Sequence, residues 1–205
     1  MSSLGSPQKR LLLDVARRSV TAAVTRSELP EALPNESDLG PFGGAFVTLH
    51  MGGRLRGCIG QIVSAGSLVQ IVAYAARGAA LEDPRFSPIR PQELALVEIE
   101  VSILSSFEEI TPERIEAGKH GLMISRGPQR GLLLPQVAVQ YGWTAERFLA
   151  ETCIKAGFER RAWRDPSTRI HAFTAEVFSE TEFQSADAAP AVPSGRDNRG
   201  YSSST

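Results

Sequence analysis

Residues 46–59 have the sequence Phe-Val-Thr-Leu-His-Met-Gly-Gly-Arg-Leu-Arg-Gly-Cys-Ile, and the predicted architecture is built around them. Two strand-like runs flank Gly52-Gly53, and a pair of glycines between strands favours a two-residue hairpin turn. A regular antiparallel ladder from this turn pairs Met51 with Arg54, Leu49 with Arg56 and Val47 with Cys58. Cys58 and Arg56 then share one face of the sheet, about 7 Å apart along the strand.

The pattern of this hairpin returns later in the chain. The elements predicted after it are a helix capped by Gly66-Ser67, a strand over 94–104, a hairpin with strands over 122–125 and 130–134, a helix over 144–156 and a strand over 169–178. An Arg-Gly pair lies in the second strand of each hairpin, as Arg56-Gly57 and Arg130-Gly131. This order favours two related units that share one sheet region.

The predicted fold class is therefore α+β, with a mostly antiparallel sheet, flanking helices and an internal duplication. The two hairpin-helix-strand units cover 44–105 and 119–180 of a single domain over 7–182. Leucine, valine and alanine residues at helical spacing predict a first helix over 7–26. The stretch 28–44 holds several prolines and has no sustained period, which predicts a surface loop.

The composition is that of an ordinary globular protein. The chain has 205 residues, 42% of them hydrophobic and 22% charged, which excludes a mainly disordered or fibrous protein. Its net charge of −1 gives no electrostatic reason to bind nucleic acid or a membrane surface, so we expect neither partner. No apolar run approaches the roughly 18 residues of a membrane span, and the N-terminus shows no signal-peptide pattern. We expect a cytoplasmic protein. The tail over 183–205 is rich in small and polar residues and is predicted to be disordered.

The two cysteines, Cys58 and Cys153, are too few for a disulfide framework or a four-thiolate metal site. The three histidines add no paired ligand spacing, and the sequence has no glycine-rich phosphate loop. We therefore expect neither a metal nor a cofactor. Cys153 shares a helical stripe with Phe148 and Leu149, which predicts a buried packing thiol.

Several blocks of sequence carry a resemblance to a known family. The most specific block is Leu55-Arg56-Gly57-Cys58-Ile59-Gly60. The others, in chain order, are Asp83-Pro84-Arg85-Phe86, Glu98-Ile99-Glu100-Val101-Ser102, Lys119-His120-Gly121-Leu122, Gly131-Leu132-Leu133-Leu134-Pro135-Gln136-Val137-Ala138 and Cys153-Ile154-Lys155-Ala156-Gly157. With these blocks in order, the chain resembles the AMMECR-type domain family, called in prokaryotes the AmmeMemoRadiSam system protein A. The resemblance covers residues 10–180 and leaves out the tail.

This resemblance implies an α+β fold with the hexapeptide near a cleft. It also implies genomic company with a Memo-like protein and a radical-SAM protein, which are the partners we expect. It brings no settled reaction. Gln136, in one of the blocks, is a candidate ligand-binding residue.

Two interpretations of Cys58 stay open. A guanidinium as close as that of Arg56 would favour the thiolate and make Cys58 a candidate nucleophile. Alternatively, Cys58 packs against Val47 as a small hydrophobe. His120 is a candidate base for Cys58, although the sequence favours a hydrogen-bonded structural histidine at this position.

The neighbouring candidates also have two interpretations each. Gly57 and Gly60 would let a ligand or a second backbone approach, or else mark a bulge and a turn. Asp83 and Arg85 would present a binding site for an anionic group, or form an ion pair inside a structural turn.

The sequence thus supports two hypotheses about function. The first is an accessory protein or enzyme of an AmmeMemoRadiSam system that binds a small molecule or modified peptide around Cys58, Arg56, Asp83 and Arg85. The second is a non-catalytic adaptor that docks a partner protein. Thiol reactivity separates them, since covalent catalysis needs a reactive cysteine and an adaptor does not.

Overall fold

The computed structural model describes residues 3–27, 42–62 and 67–187. Its α-helices are α1 (Ser6–Thr25), α2 (Leu68–Leu81), α3 (Pro135–Gln140), α4 (Ala145–Lys155) and α5 (Glu180–Asp187). Its strands are β1 (Gly44–Met51), β2 (Arg54–Ile62), β3 (Val97–Leu104), β4 (Glu108–Glu109), β5 (Gly121–Arg126), β6 (Gln129–Leu133), β7 (Arg169–Phe173) and β8 (Ala175–Ser179). Most of the loop predicted over 28–44 lies outside the described residues. None of the described helices has the length and apolar character needed to cross a membrane.

Three of the described helices, α1, α2 and α4, lie where the sequence predicts them, whereas α3 and α5 were not predicted. Pro7 lies in the first turn of α1, where its missing N–H leaves no bond unmade. The Ser67 hydroxyl accepts a hydrogen bond from the Gln70 N–H at the start of α2. The Thr144 hydroxyl does the same for α4. The predicted positions of these three helices are confirmed.

The strands form two separate antiparallel sheets, which we call the first sheet (β2-β1-β3-β8) and the second sheet (β4-β7-β5-β6). The α+β class and the antiparallel pairing are confirmed. In each sheet the first strand of a hairpin lies between its hairpin partner and a returning strand. The equivalent residues are also paired alike, with Gly57, Leu49 and Ile99 side by side in the first sheet and Gly131, Ile124 and Ile170 in the second.

The strand predicted over 169–178 is broken at Thr174, and its halves belong to different sheets. Ser105 holds the crossing, because its N–H donates to the Thr174 carbonyl and its hydroxyl accepts from the Thr174 N–H, both at 2.9 Å. The two units therefore do not share one sheet, and the sequence prediction was wrong on this point. A single residue that changes sheets leaves no trace in an alternating apolar pattern.

Each sheet has its own apolar core. The first core lies between the first sheet and helices α1 and α2, and includes Val47, Leu49 and Ile99, all fully buried. The second core lies between the second sheet and α4, and includes Phe148 and Cys153. Burial of this apolar surface is the main force that holds each unit together.

The first hairpin turns at Gly52-Gly53 as predicted, with φ of 58° and 72° at the two glycines. Its register differs from the prediction, however, because Arg56 is an extra residue in a β-bulge. Leu49 therefore pairs with Gly57, and Thr48 pairs with Cys58. The predicted pairs of Val47 with Cys58 and Leu49 with Arg56 were wrong.

The final helix, α5, runs to Asp187, so the tail boundary predicted at residue 183 falls inside a helix. Phe183 packs against the first core, and the Arg10 guanidinium lies 4.8 Å from the centre of its ring. The remainder of the predicted tail, residues 188–205, lies outside the described residues.

Candidate functional site

The bulge places the Cys58 side chain on the face of the first sheet that points away from the helices. Val47 and Leu49 occupy the opposite, helix-facing side of β1 and are fully buried. The interpretation in which Cys58 packs against Val47 is therefore wrong. Instead, the Thr48 hydroxyl donates a hydrogen bond to the Cys58 Sγ at 3.4 Å, and Cys58 stays partly exposed.

Asp83, in the loop after α2, ties that loop to the backbone of the motif. Its carboxylate accepts a hydrogen bond from the Cys58 N–H at 2.8 Å and from the Arg85 N–H at 3.1 Å. The Arg85 guanidinium adds two bonds, from Nε at 3.0 Å and Nη2 at 2.7 Å. The Asp83 side chain is 3% exposed, whereas that of Arg85 is 56% exposed. The buried carboxylate thus holds the cysteine backbone and leaves the guanidinium at the surface.

Arg56 makes a second set of bonds to the same loop. Its Nε donates to Glu93 at 3.1 Å, and its Nη1 and Nη2 donate to the carbonyls of Ser87 and Pro88. Both side chains of the Arg56–Glu93 pair are 12% exposed. The guanidinium is therefore used to fasten the loop to β2. The predicted role of Arg56 as the cation that activates Cys58 was wrong, because the bulge changes its register and Glu93 takes its charge.

These bonds shift the pKa values of both carboxyl groups downwards. The hydrogen bonds from the Arg85 side chain hold the pKa of Asp83 far below its usual range. Burial of the carboxyl group opposes this shift, and the N–H groups of Cys58 and Arg85 add to it. Arg56, with the Arg90 N–H, lowers the pKa of Glu93 to about 2. Asp83 in turn raises the pKa of Arg85, and Cys58 adds a smaller effect in the same direction. Arg85, like Arg56, is therefore an arginine whose charge is balanced by a buried carboxylate.

The two glycines of the motif have packing roles. A Cβ on Gly57 would lie 2.1 Å from the Ala79 carbonyl oxygen of α2, so a second backbone occupies the space. A Cβ on Gly60 would lie 2.1 Å from the ring of Phe46, its partner in β1. Gly57 thus allows a second backbone to approach β2, which is one of the two roles predicted from the sequence. Gly60 marks neither a bulge nor a turn.

His120 lies with the second sheet, immediately before β5. Its Nδ1 accepts a hydrogen bond from the Glu116 N–H at 3.1 Å, as the structural interpretation of the sequence expects. It lines an open groove of about 730 Å³ together with Glu116, Lys119 and Phe173, and Cys58 does not line this groove. In the described part of the chain no contact joins His120 to Cys58, so the structure does not bring the predicted base to its thiol.

Two other candidates lie away from the motif. Gln136 is exposed on the short helix α3, and no contact among the described residues links it to Cys58. Cys153 is fully buried in the second core, as predicted, and burial raises the pKa of its thiol. Neither cysteine forms a disulfide. Within residues 3–27, 42–62 and 67–187, no group of three or more histidine, cysteine or acidic side chains is placed to hold a metal ion.

Sequence reasoning missed Thr48 and Glu93. Thr48 was overlooked because a regular ladder puts it on the face opposite Cys58, and no feature of the sequence signals the bulge. Glu93 has a usable signal, because Pro91 and then Glu93 follow Arg90 in the pattern of a helix start, and the Glu93 carboxylate does accept from the Arg90 N–H at 2.9 Å.

Known proteins match both the sequence and this architecture. The AMMECR1 family model matches residues 13–178. The chain belongs to the AMMECR1 family. A protein of Methanothermobacter thermautotrophicus is 40% identical over 187 residues, which is 86% of this chain and 96% of that protein. A protein of Thermococcus kodakarensis is 43% identical over 183 residues, 82% of this chain and 88% of the relative.

A solved crystal structure has a similar fold. The crystal structure of an uncharacterized protein from Pyrococcus horikoshii superposes with a TM-score of 0.78 at 38% identity. The match covers 86% of this chain and 93% of the Pyrococcus chain. These relatives carry no named activity, and the chemistry of the motif has to be argued from its geometry.

Proposed function

We propose that this AMMECR1-family protein is an accessory protein or enzyme of an AmmeMemoRadiSam system, and that Cys58 is its nucleophile. A Memo-like protein and a radical-SAM protein are its proposed partners. The observation that carries the proposal is the position of the Cys58 sulfur. Cys58 is partly exposed, and its sulfur lies on the face of the first sheet away from the helices, hydrogen-bonded to Thr48, on a backbone held by the buried carboxylate of Asp83.

A rigid backbone and an accessible sulfur are what nucleophilic catalysis needs from the protein. Bonds to the loop fix β2 at Arg56 and at the Cys58 N–H, so the backbone that carries the sulfur is held in place. Arg85 is bonded to the same Asp83 carboxylate as the Cys58 N–H, and its side chain is 56% exposed. A small molecule or modified peptide with an electrophilic carbon and an anionic group fits this arrangement, with the anion on Arg85 and the carbon at Sγ.

A non-catalytic adaptor is the second candidate. The observation in its favour is that the charges of the motif are satisfied inside the chain, with Arg56 on Glu93 and Arg85 on Asp83. The described surface also exposes large apolar side chains that a partner could cover, among them Val139 at 67% and Tyr141 at 61%. In this case the motif would be a structural device that joins β2 to its loop.

Alkylation of the native protein separates the two candidates. Iodoacetamide at about pH 7, followed by peptide mass spectrometry, is expected to label Cys58 much faster than Cys153, since the Cys153 thiol is buried and its pKa is raised. If Cys58 is no faster than Cys153, the nucleophile proposal fails and the adaptor remains.

A second measurement looks for the natural electrophile. The protein is incubated with cell extract and its intact mass is recorded, with Cys58→Ser and Cys153→Ser as a matched pair. The proposal expects an added mass that Cys58→Ser abolishes and Cys153→Ser retains. An added mass that both variants retain counts against Cys58.

A further inference from the structure

His50 has a buried ring nitrogen without a hydrogen bond. It lies in β1, and its Nε2 is screened from solvent with no partner among the described residues. Buried polar atoms in folded proteins are nearly always paired, and an unpaired one calls for an explanation such as a catalytic role. A neutral imidazole nitrogen that makes no bond is free to accept a proton.

The observed register puts His50 next to the Cys58 site. Side chains two residues apart on a strand share a face, so His50 lies on the same face as Thr48. Cys58 is directly opposite Thr48, whereas His50 is opposite Leu55, so the bulge at Arg56 lies between the two pairs on β2. On β1 itself, Thr48 and His50 are about 7 Å apart along the face that carries Cys58. The regular ladder predicted from the sequence puts Cys58 opposite Val47 and hides this relation.

We propose that His50, and not His120, is the base that takes the proton from Cys58. This inference rests on the proposed function of Cys58 as a nucleophile. In the reaction Sγ forms a bond to an electrophilic carbon, the leaving group departs with the electron pair of the bond that breaks, and the thiol proton passes to Nε2 of His50. The histidine later releases that proton to solvent.

The charged groups around the pair suit this role. Glu98 of β3 is the cross-strand neighbour of His50, and Glu100 is that of Thr48. A carboxylate opposite an imidazole favours the imidazolium that the transfer creates. On the other side, Arg85 is paired with Asp83, and Arg56 next to the bulge is paired with Glu93. The acidic side chains of β3 are therefore the charged groups directly across from the strand that carries His50.

The test is the rate of Cys58 alkylation by iodoacetamide in full-length His50→Gln. We expect the rate at pH 7 to fall about tenfold, within a ceiling of roughly 30-fold, because an unassisted thiol is only a few per cent thiolate at that pH. His171→Gln is the matched control, since His171 also has a buried ring nitrogen without a partner but lies in the second sheet. His171→Gln and His120→Gln are expected to react at the wild-type rate.

The outcomes distinguish this inference from the proposed function. Slow Cys58 labelling in the wild-type protein overturns both. Fast labelling that is unchanged in His50→Gln overturns the role of His50 alone. Thermal melting checks the fold, and His50→Asn is the second variant. If both variants unfold, the pH dependence of Cys58 alkylation in the wild-type protein tests the inference. A thiol assisted by a base gives an alkylation rate that changes little between about pH 5.5 and 8. A rate that rises about tenfold per pH unit is that of an unassisted thiol and overturns the inference.

Discussion

Asp83 is the residue on which the motif backbone depends most directly. Its carboxylate is buried and accepts four hydrogen bonds, one from the Cys58 N–H and three from Arg85. A buried carboxylate is stable only with such partners, because removing a charge from water is costly. Each of these hydrogen bonds is stronger than one between neutral groups, because its acceptor is ionised.

Asp83→Asn is expected to lower the free energy of unfolding at pH 7 by about 2 kcal/mol, as for the loss of hydrogen bonds to a charged group. The pKa of Asp83 is lower in the folded than in the unfolded protein, so its contribution is complete well above the ordinary value of 3.8 and is lost as the pH falls through and below it. The difference in the free energy of unfolding between wild type and variant, measured by urea unfolding, should therefore be smaller at about pH 3 than at pH 7.

Asp14→Asn is the control for Asp83, because its ion pair with Arg18 on α1 is largely exposed. Exposed pairs contribute about 0–1 kcal/mol, so this variant should stay close to wild type at both pH values. Equal losses in the two variants would contradict the role assigned to Asp83.

The contacts of β2 with α2 and with the loop that follows α2 explain why the motif contains an arginine followed by a glycine. Gly57 must be glycine because the Ala79 carbonyl of α2 lies against it, and Gly131 meets the backbone of Ala156 in the same way in the second unit. The duplicated Arg-Gly pair is thus a device for packing a helix end on a hairpin. In the first unit alone, a bulge at Arg56 turns the arginine to the loop and its partner Glu93.

Arg56→Gln is expected to destabilise the protein by about 2 kcal/mol, because it removes hydrogen bonds to a buried carboxylate and leaves Glu93 paired only with the mostly exposed Arg90. The loss should shrink in acid, where the carboxyl group that has lost Arg56 takes up a proton. The Arg56→Gln, Glu93→Gln double variant should lose less than the sum of the single variants, which chemical denaturation of all four proteins measures.

The exposed pair of Arg164 with Glu146 provides the comparison cycle. Its single variants should cost little and add simply, since contacts at the surface are screened. Additive losses at Arg56 and Glu93 as well would mean that the two side chains do not support each other.

Over the whole molecule, features that depend on neighbouring residues were predicted from the sequence more accurately than the pairing of strands. Helix caps such as Ser67, the Gly52-Gly53 turn and the duplicated order of elements depend on neighbouring residues and were predicted correctly. The bulge at Arg56 and the change of sheet at Thr174 depend on what packs from elsewhere in the chain. One inserted residue reverses which face a side chain occupies, so the candidate site changed while the strands stayed in place.

The C-terminal end shows how far the cooperative unit extends. Phe183 packs against the first core from α5, and the Glu180 carboxylate accepts from the Ile99 N–H at 3.0 Å and from Arg17. The start of α5 is therefore part of the domain. By composition, residues 188–205 have few apolar side chains to add to a core.

Two truncations test this boundary. Removing 188–205 is expected to leave the melting temperature unchanged. Removing 183–205 also deletes Phe183 and should lower the melting temperature by about 4 °C. Losing a half-buried aromatic ring costs about 1–2 kcal/mol, and each kcal/mol lowers the melting temperature of a domain of this size by about 2–4 °C. Phe183→Ala in the full-length chain is the matched variant and should reproduce most of that fall in a calorimetric scan. Equal melting temperatures for both truncations would place the boundary before α5, whereas a fall already on removing 188–205 would show that the tail adds to the core.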